Sequence, residues 1–298
     1  VQADSLNLDP AASLKAYAQF LKGMEEKINA EAEFAAREDC RLIVGDIPPL
    51  AFDIAERAAV PSLAVANFSW DWIYEPYVER QPEYRYLVSA IREGYRKAGI
   101  LLRLPLAGEM EVFPKIRDIP LIARRARVAA GEVRKRLGLE GERPLVILSF
   151  GGFSLGEEYY RNLIKNRDCL WLASERVGFD LPGLRNVGRE ELARLGLGYP
   201  DLIGAAAVVI TKPGYGIISE CIANRTKMLY TSRGEFREYP VLVAGMEKYL
   251  PCGFISQEKL LSGEISEELF RLLDGPDEFA PLPVNGAETV AEVILGYL

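Results

Sequence analysis

Apolar residues recur first at helical spacing and then in short unbroken runs, and the alternation of the two predicts an α/β protein. Asp9-Pro10 reads as an N-cap followed by proline at the first helical position. Leu14, Tyr17, Phe20, Leu21, Met24 and Ile28 continue one apolar face, so the pattern predicts a long helix to about residue 38. RLIVGD (41–46), a helix over about 50–58 and SLAVAN (62–67) form a β-α-β unit. An aromatic stretch (68–77), a polar helix around 83–97 and a strand in GILLRLPL (99–106) follow. The Pro- and Arg-rich segment 113–128 lacks periodicity and reads as a linker, dividing the chain into domains 1–120 and 121–298.

From Ala130 the pattern restarts. PLVILSF (144–150), CLWLASE (169–175), LRNVG (184–188), AAVVIT (206–211) and KMLYTS (227–232) alternate with helices, the last over about 286–297 with Val290, Val293 and Ile294 on one face. Strands apolar throughout imply a parallel sheet covered on both sides, so this half reads as a complete doubly wound domain.

Composition then removes chemistry. Histidine is absent, which excludes imidazole bases, Ser-His-Asp and Cys-His nucleophile systems and His-ligated metals. A net charge of −7 argues against general nucleic-acid binding. Cys40, Cys169, Cys221 and Cys252 lie far apart without a C-x-x-C pair, as expected of reduced packing residues in a cytoplasmic protein. The longest apolar run, Leu202 to Ile210, is far shorter than the roughly 20 residues that span a bilayer.

Two strand-to-helix junctions carry candidate chemistry. Gly151, Gly152 and Ser154 follow PLVILSF, and glycine lets backbone N–H groups and a helix N-terminus approach an anion; a tight turn with Ser154 as N-cap is the bland alternative. Lys212-Pro213-Gly214-Tyr215-Gly216 follows AAVVIT, at the strand end where open α/β sheets bind ligands. Lys212 offers a cation to a diphosphate. Glu220, on the helical face of Gly216, suits ribose hydroxyls or simply complements the helix dipole.

Arg233, Glu235, Arg237 and Glu238 after KMLYTS read as sugar-hydroxyl contacts or as a solvated loop. In the first half Asp46, Asn67, Trp70 and Asp71 end strands on the ligand side. Trp70, Trp72, Tyr74 and Tyr77 read as a sugar-stacking platform or as buried aromatics, the latter favoured for Trp72 and Tyr77. Arg124, Arg125 and Arg127, with Arg134, Lys135 and Arg136, read as a solvated face more readily than as an anion site.

TKPGYGIISE, together with LSFGG, resembles the two-domain GT-B glycosyltransferases, family 28 in particular. VQADSLNLDPAASL, AVANFSWDWIYEPY, RLPL, DIPLIARRAR, GEVRKRLGL and FREYP are similar, in that order, to the glycosyltransferase-like N-terminal region of plant L-arabinokinases and bacterial relatives. The kinase half of those proteins has no counterpart here. The resemblance implies two Rossmann-like domains facing a cleft, with a UDP-type nucleotide sugar on the C-terminal one and the acceptor on the other. By the resemblance Gly151, Gly152, Ser154, Lys212, Gly214 and Gly216 would meet the diphosphate, Glu220 the ribose and Glu238 the transferred sugar; Tyr215, Arg233, Asn67 and Trp70 are further substrate-binding candidates. The acid that follows the glutamate in the family is Tyr239 here. GT-B enzymes generally work without a bound metal or cofactor, because helix dipoles and cations stabilise the leaving diphosphate.

The family opens with a strand and a Gly/His-rich loop, whereas this sequence opens at Val1-Gln2-Ala3-Asp4. The expectation is an incomplete N-terminal domain with RLIVGD on an unpaired edge. Asp71 is then the remaining base candidate for transfer to an unknown acceptor. A non-catalytic nucleotide-sugar-binding domain and a GT-B epimerase are the alternatives.

Overall fold

Asp9 caps the first helix as its sequence predicts, its Oδ1 accepting from Ala12 N at 2.8 Å in a computed structural model that describes residues 9–139, 141–150, 156–174 and 177–297. Gly151, Gly152 and Ser154 lie outside the described residues. The expected single helix to residue 38 is two helices, α1 (Pro10–Leu21) and α2 (Met24–Arg37). Between them Gly23 takes a φ of +77°, a left-handed turn that interrupts an otherwise continuous apolar periodicity.

β1 (Ile43–Gly45), α3 (Leu50–Arg57), β2 (Ser62–Ala66), α4 (Trp70–Arg80), α5 (Arg85–Arg96), β3 (Ile100–Arg103) and β4 (Ile116–Asp118) complete the first half. Its four strands are parallel and run in sequential order, β1-β2-β3-β4, without a reversal. β1 lies on an edge, with Val44 45% exposed. β4 corrects the reading of 113–128 as linker alone. All three of its residues are exposed, so no apolar alternation marks it.

The second half contains α6 (Ala130–Arg136), β5 (Leu145–Ser149), α7 (Glu157–Leu163), β6 (Leu170–Ala173), β7 (Leu184–Asn186), α8 (Arg189–Arg194), α9 (Tyr199–Ala205), β8 (Val208–Thr211), α10 (Tyr215–Asn224), β9 (Lys227–Tyr230), α11 (Glu238–Tyr249), β10 (Cys252–Phe254), α12 (Gln257–Ser262), α13 (Ser266–Asp274) and α14 (Gly286–Leu295). Its strands are parallel in the order β10-β9-β8-β5-β6-β7, so the direction of winding reverses between β5 and β8. A crevice opens beyond strand ends at such a reversal. Both glycine-rich junctions follow the two strands that flank it. Val146, Leu148, Val208 and Ile210 face one buried layer, while Leu145, Ile147 and Val209 face the other.

Apolar contacts among the described residues pack the halves together. Leu106, at φ +58°, lies against Gly245 of α11 so closely that a Cβ there would sit 2.3 Å from its Cδ2. Phe236 enters a cluster with Trp72, Ile73 and Tyr77 of α4. α14 returns to the first sheet, packing Val290, Val293 and Ile294 beside Leu63, Leu102 and Ile119. The chain thus crosses between the halves twice, and the crossings touch through Gly286 N donating to Leu121 O at 3.0 Å. The four cysteines are unpaired, with Cys169 and Cys221 buried. No helix among the described residues is long and apolar enough to cross a membrane.

Candidate functional site

The loop 212–214 leads from β8 into α10 beside the reversal point. Gly214 precedes the first helical turn and has no side chain with which to cap it. Its φ is −143°, and a Cβ at either Gly214 or Gly216 would meet nothing within 4 Å. Neither backbone conformation nor packing therefore demands glycine here. The absence of side chains leaves the first-turn N–H groups open to an approaching anion. Lys212 is half-buried at the start of the loop.

The neighbouring strand end is tied to this one. Thr211 Oγ1 donates to Ser149 O at 2.5 Å, and Ser149 Oγ lies 2.7 Å from the hydroxyl of Tyr199. Burial pushes the Tyr199 phenol up to about 12. Tyr199, the first residue of α9, was not foreseen as part of the site. Nothing in Gly-Tyr-Pro-Asp marks it, because its place depends on how α9 leans over the ends of β5 and β8. The ring of Tyr215, expected to touch ligand, instead packs into the apolar cluster shared by the first sheet and α14.

Glu220 is buried, 5% exposed, one turn into α10. Its Oε1 accepts from both Nε and Nη2 of Arg124, each at 2.5 Å. Burial raises its pKa, and the guanidinium partly offsets the shift. Asn224, one turn further, donates to Arg124 O at 3.0 Å and accepts from Ala126 N at 2.7 Å. Asp201 accepts from Arg127 N and Val128 N at 2.6 and 3.0 Å. Burial pushes its carboxyl up, but these N–H groups and that of Gly198 outweigh burial and hold it below its usual range. The arginine-rich segment is therefore stitched to the second half, and Arg124 is more than part of a solvated face. A cavity of about 1020 Å³ lies beneath it, lined by Arg124, Arg125, Arg127, Tyr199 and Asp201 among others.

Across the cleft, Asn67 and Glu238 meet one another. Asn67 Nδ2 donates to Glu238 Oε1 at 2.7 Å, and both side chains are buried. Arg233 Nη1 lies 3.4 Å from the second carboxylate oxygen and donates to Pro213 O at 3.3 Å, with its guanidinium over the Phe236 ring. Three residues expected to contact sugar are thus brought together, engaged with each other. Burial raises the Glu238 pKa, against the pull of Asn67 and Arg233.

Asp71, the base candidate, has one of its two carboxylate oxygens engaged and the other, Oδ1, buried without a hydrogen-bond partner. It is 5% exposed, and its Oδ2 accepts from Arg92 Nε at 3.0 Å inside the α4–α5 contact. Arg92 also binds Glu75, whose other oxygen accepts from Arg237 Nη1 at 2.6 Å. Trp70 is half-buried between Phe68 and Tyr74, with ring centroids at 5.1 and 5.5 Å. Trp72 and Tyr77 are buried against Phe236 as packing between the halves, whereas Trp70 and Tyr74 are half-buried. Among the described residues, no group of three or more carboxylates or thiols could hold a metal ion.

Two parallel sheets with their C-terminal strand ends opposed, joined by a chain that crosses twice, constitute the GT-B fold. The chain has the GT-B fold, as in the glycosyltransferase structures on which it superposes. Its sequence is 30% identical to L-arabinokinase of Arabidopsis thaliana over 302 residues, covering 99% of this chain and 28% of that protein. The chain thus spans under a third of the curated relative it matches. No family model matches it. Among solved structures, CalG4, the calicheamicin glycosyltransferase, superposes with a TM-score of 0.62 at 13% identity, covering 98% of this chain and 82% of that one. A UGT transferase from Siraitia grosvenorii in complex with UDP gives 0.57 at 15% identity, with 94% and 82% covered. A protein assigned as a UDP-N-acetylglucosamine 2-epimerase from Listeria monocytogenes gives 0.53 at 15% identity, with 91% and 76% covered. At these identities the likeness is one of fold.

Proposed function

We propose that the chain binds a UDP-type nucleotide sugar at the C-terminal ends of β5 and β8 and serves transfer of that sugar to an acceptor on the first sheet. The carrying observation is the first turn of α10, open at Gly214 and Gly216, with a buried carboxylate one turn behind it. An anion at the turn and a hydroxyl pair at Glu220 match a nucleoside diphosphate. In this reading the diphosphate leaves without a metal, its charge met by the helix N-terminus and Lys212. Gly151, Gly152 and Ser154 would complete the grip. The UDP-bound plant neighbour supports the choice of nucleotide. Four unpaired thiols suit the cytoplasm.

Binding without transfer is the second reading. It is favoured by the engagement of the base candidate Asp71 with Arg92 and of the sugar-contact candidate Glu238 with Asn67 and Arg233. Calorimetry with UDP tests what both readings share, and no binding would sink them together. Release of UDP from UDP-sugars, assayed with and without candidate acceptors, separates them: turnover supports transfer, and binding with no release supports the second reading.

A further inference from the structure

We propose that Arg124 is a built-in stand-in for the nucleotide at Glu220, so that a nucleotide enters by displacing it. The proposal rests on the reading of Glu220 as the ribose carboxylate. Two N–H groups of Arg124 converge on Glu220 Oε1 at 2.5 Å, the same donor pattern that two adjacent ribose hydroxyls present. Glu220 is 5% exposed whereas the Arg124 side chain is 69% exposed, so the guanidinium closes the carboxylate from the solvent side. A carboxylate buried that deeply is costly when unpaired, and a resident cation removes the cost while the site is empty.

The surroundings allow the exchange. Asn224 holds the backbone immediately C-terminal to the side chain, accepting from Ala126 N and donating to Arg124 O. Asp201 holds the next two amides. The head group can therefore leave while its backbone stays pinned. An ion pair with so exposed a partner contributes little, so ligand hydroxyls can compete with it. Glu220 and Asn224 lie on α10, whose first turn is the proposed diphosphate site. One helix thus meets the ligand at its N-terminus and holds the segment between the halves further along.

The test uses uridine, which carries the ribose hydroxyls without phosphate, titrated by NMR or calorimetry into the whole chain. Replacing Arg124 removes the competitor, so Arg124→Ala should bind uridine about three- to tenfold more tightly than the unsubstituted protein. Arg124→Gln, which keeps most of the side-chain length, carries the same expectation if the alanine variant folds poorly. The gain should vanish when Glu220→Ala is added. If the unsubstituted protein binds UDP while both Arg124 variants bind uridine no more tightly than it does, the exchange is overturned and the donor site stands. If the unsubstituted protein binds no UDP, the donor site falls and the exchange with it.

Discussion

Glu220 and Glu238 follow neighbouring strands of one sheet, both are buried, and burial raises both pKa values. Their partners differ. Glu220 is gripped by a guanidinium that is 69% exposed, whereas Glu238 is enclosed by a buried Asn67 and by Arg233, whose side chain is 21% exposed. A carboxylate behind a solvent-facing partner can change partners cheaply. One that joins two halves of the molecule cannot, because releasing it strands an amide and a cation in the cleft. The same residue type therefore reads as a ligand site after β8 and as a bolt after β9.

The largest effect should come from removing the bolt. Glu238→Ala leaves Asn67 Nδ2 and the Arg233 guanidinium without their shared partner, and should cost about 3 kcal/mol of stability at neutral pH. Urea unfolding measures it. A cost below about 1 kcal/mol would show that Glu238 is replaceable by water and closer in kind to Glu220. UDP affinity in this variant should change little.

Glu220→Ala should behave the other way round. Loss of a charged acceptor for ribose hydroxyls should weaken UDP by about 1–3 kcal/mol, roughly five- to 150-fold. Its stability should shift by less than about 1 kcal/mol, since Arg124 is already largely in solvent. Unchanged calorimetric affinity would reject Glu220 as the ribose group and erase the contrast.

Arg237 tests whether the bolt acts alone. Its Nη1 donates to Trp72 O at 2.7 Å and to Glu75 Oε2 at 2.6 Å, with the guanidinium over the Trp72 ring. The site is partly exposed, so Arg237→Ala should cost about 1 kcal/mol in the same unfolding assay. A loss as large as that of Glu238→Ala would move the main tie between the halves from Asn67–Glu238 to α4.

How much of this the sequence disclosed follows from the range of each interaction. The apolar runs of β2, β5, β8 and β9 and the N-cap at Asp9 are local signals, and they place the sheets and the α10 loop correctly. β4 and β10 are three residues each, β4 exposed throughout and β10 half-buried, too short to leave a hydrophobic period. Gly23 breaks a helix whose apolar face continues on the other side, so periodicity runs through the break. The pairings that decide the site are distant: Arg124 meets Glu220 across 96 residues, and Asn67 meets Glu238 across 171. Sequence spacing can nominate such groups for ligand contact, but it cannot reveal that two nominees satisfy each other. Tyr199 shows the same limit from the other side, as a site residue with no local mark.

The smallest expected effect is in the pH dependence, and it sharpens the comparison without touching the ligand. Burial holds the Glu238 pKa above its ordinary 4.5, with Asn67 and Arg233 pulling only part of the way back. The folded protein then binds this proton more tightly than the unfolded chain. The stabilisation is fully present below the unfolded value and is lost as pH rises through the folded one, so stability should fall with pH just above 4.5. Glu238→Gln keeps an acceptor for Asn67 but cannot titrate, and should flatten that part of the stability curve. Glu220 shifts in the same direction, so Glu220→Gln should flatten it too. Freed from its carboxylate, Arg124 can move into water, whereas Arg233 stays enclosed. Glu220→Gln should therefore retain its stability at neutral pH, while Glu238→Gln gains from losing a buried charge and loses from stranding Arg233. If urea unfolding across pH 4–8 gives superimposable curves for the two glutamine variants, exposure of the partner does not distinguish these carboxylates.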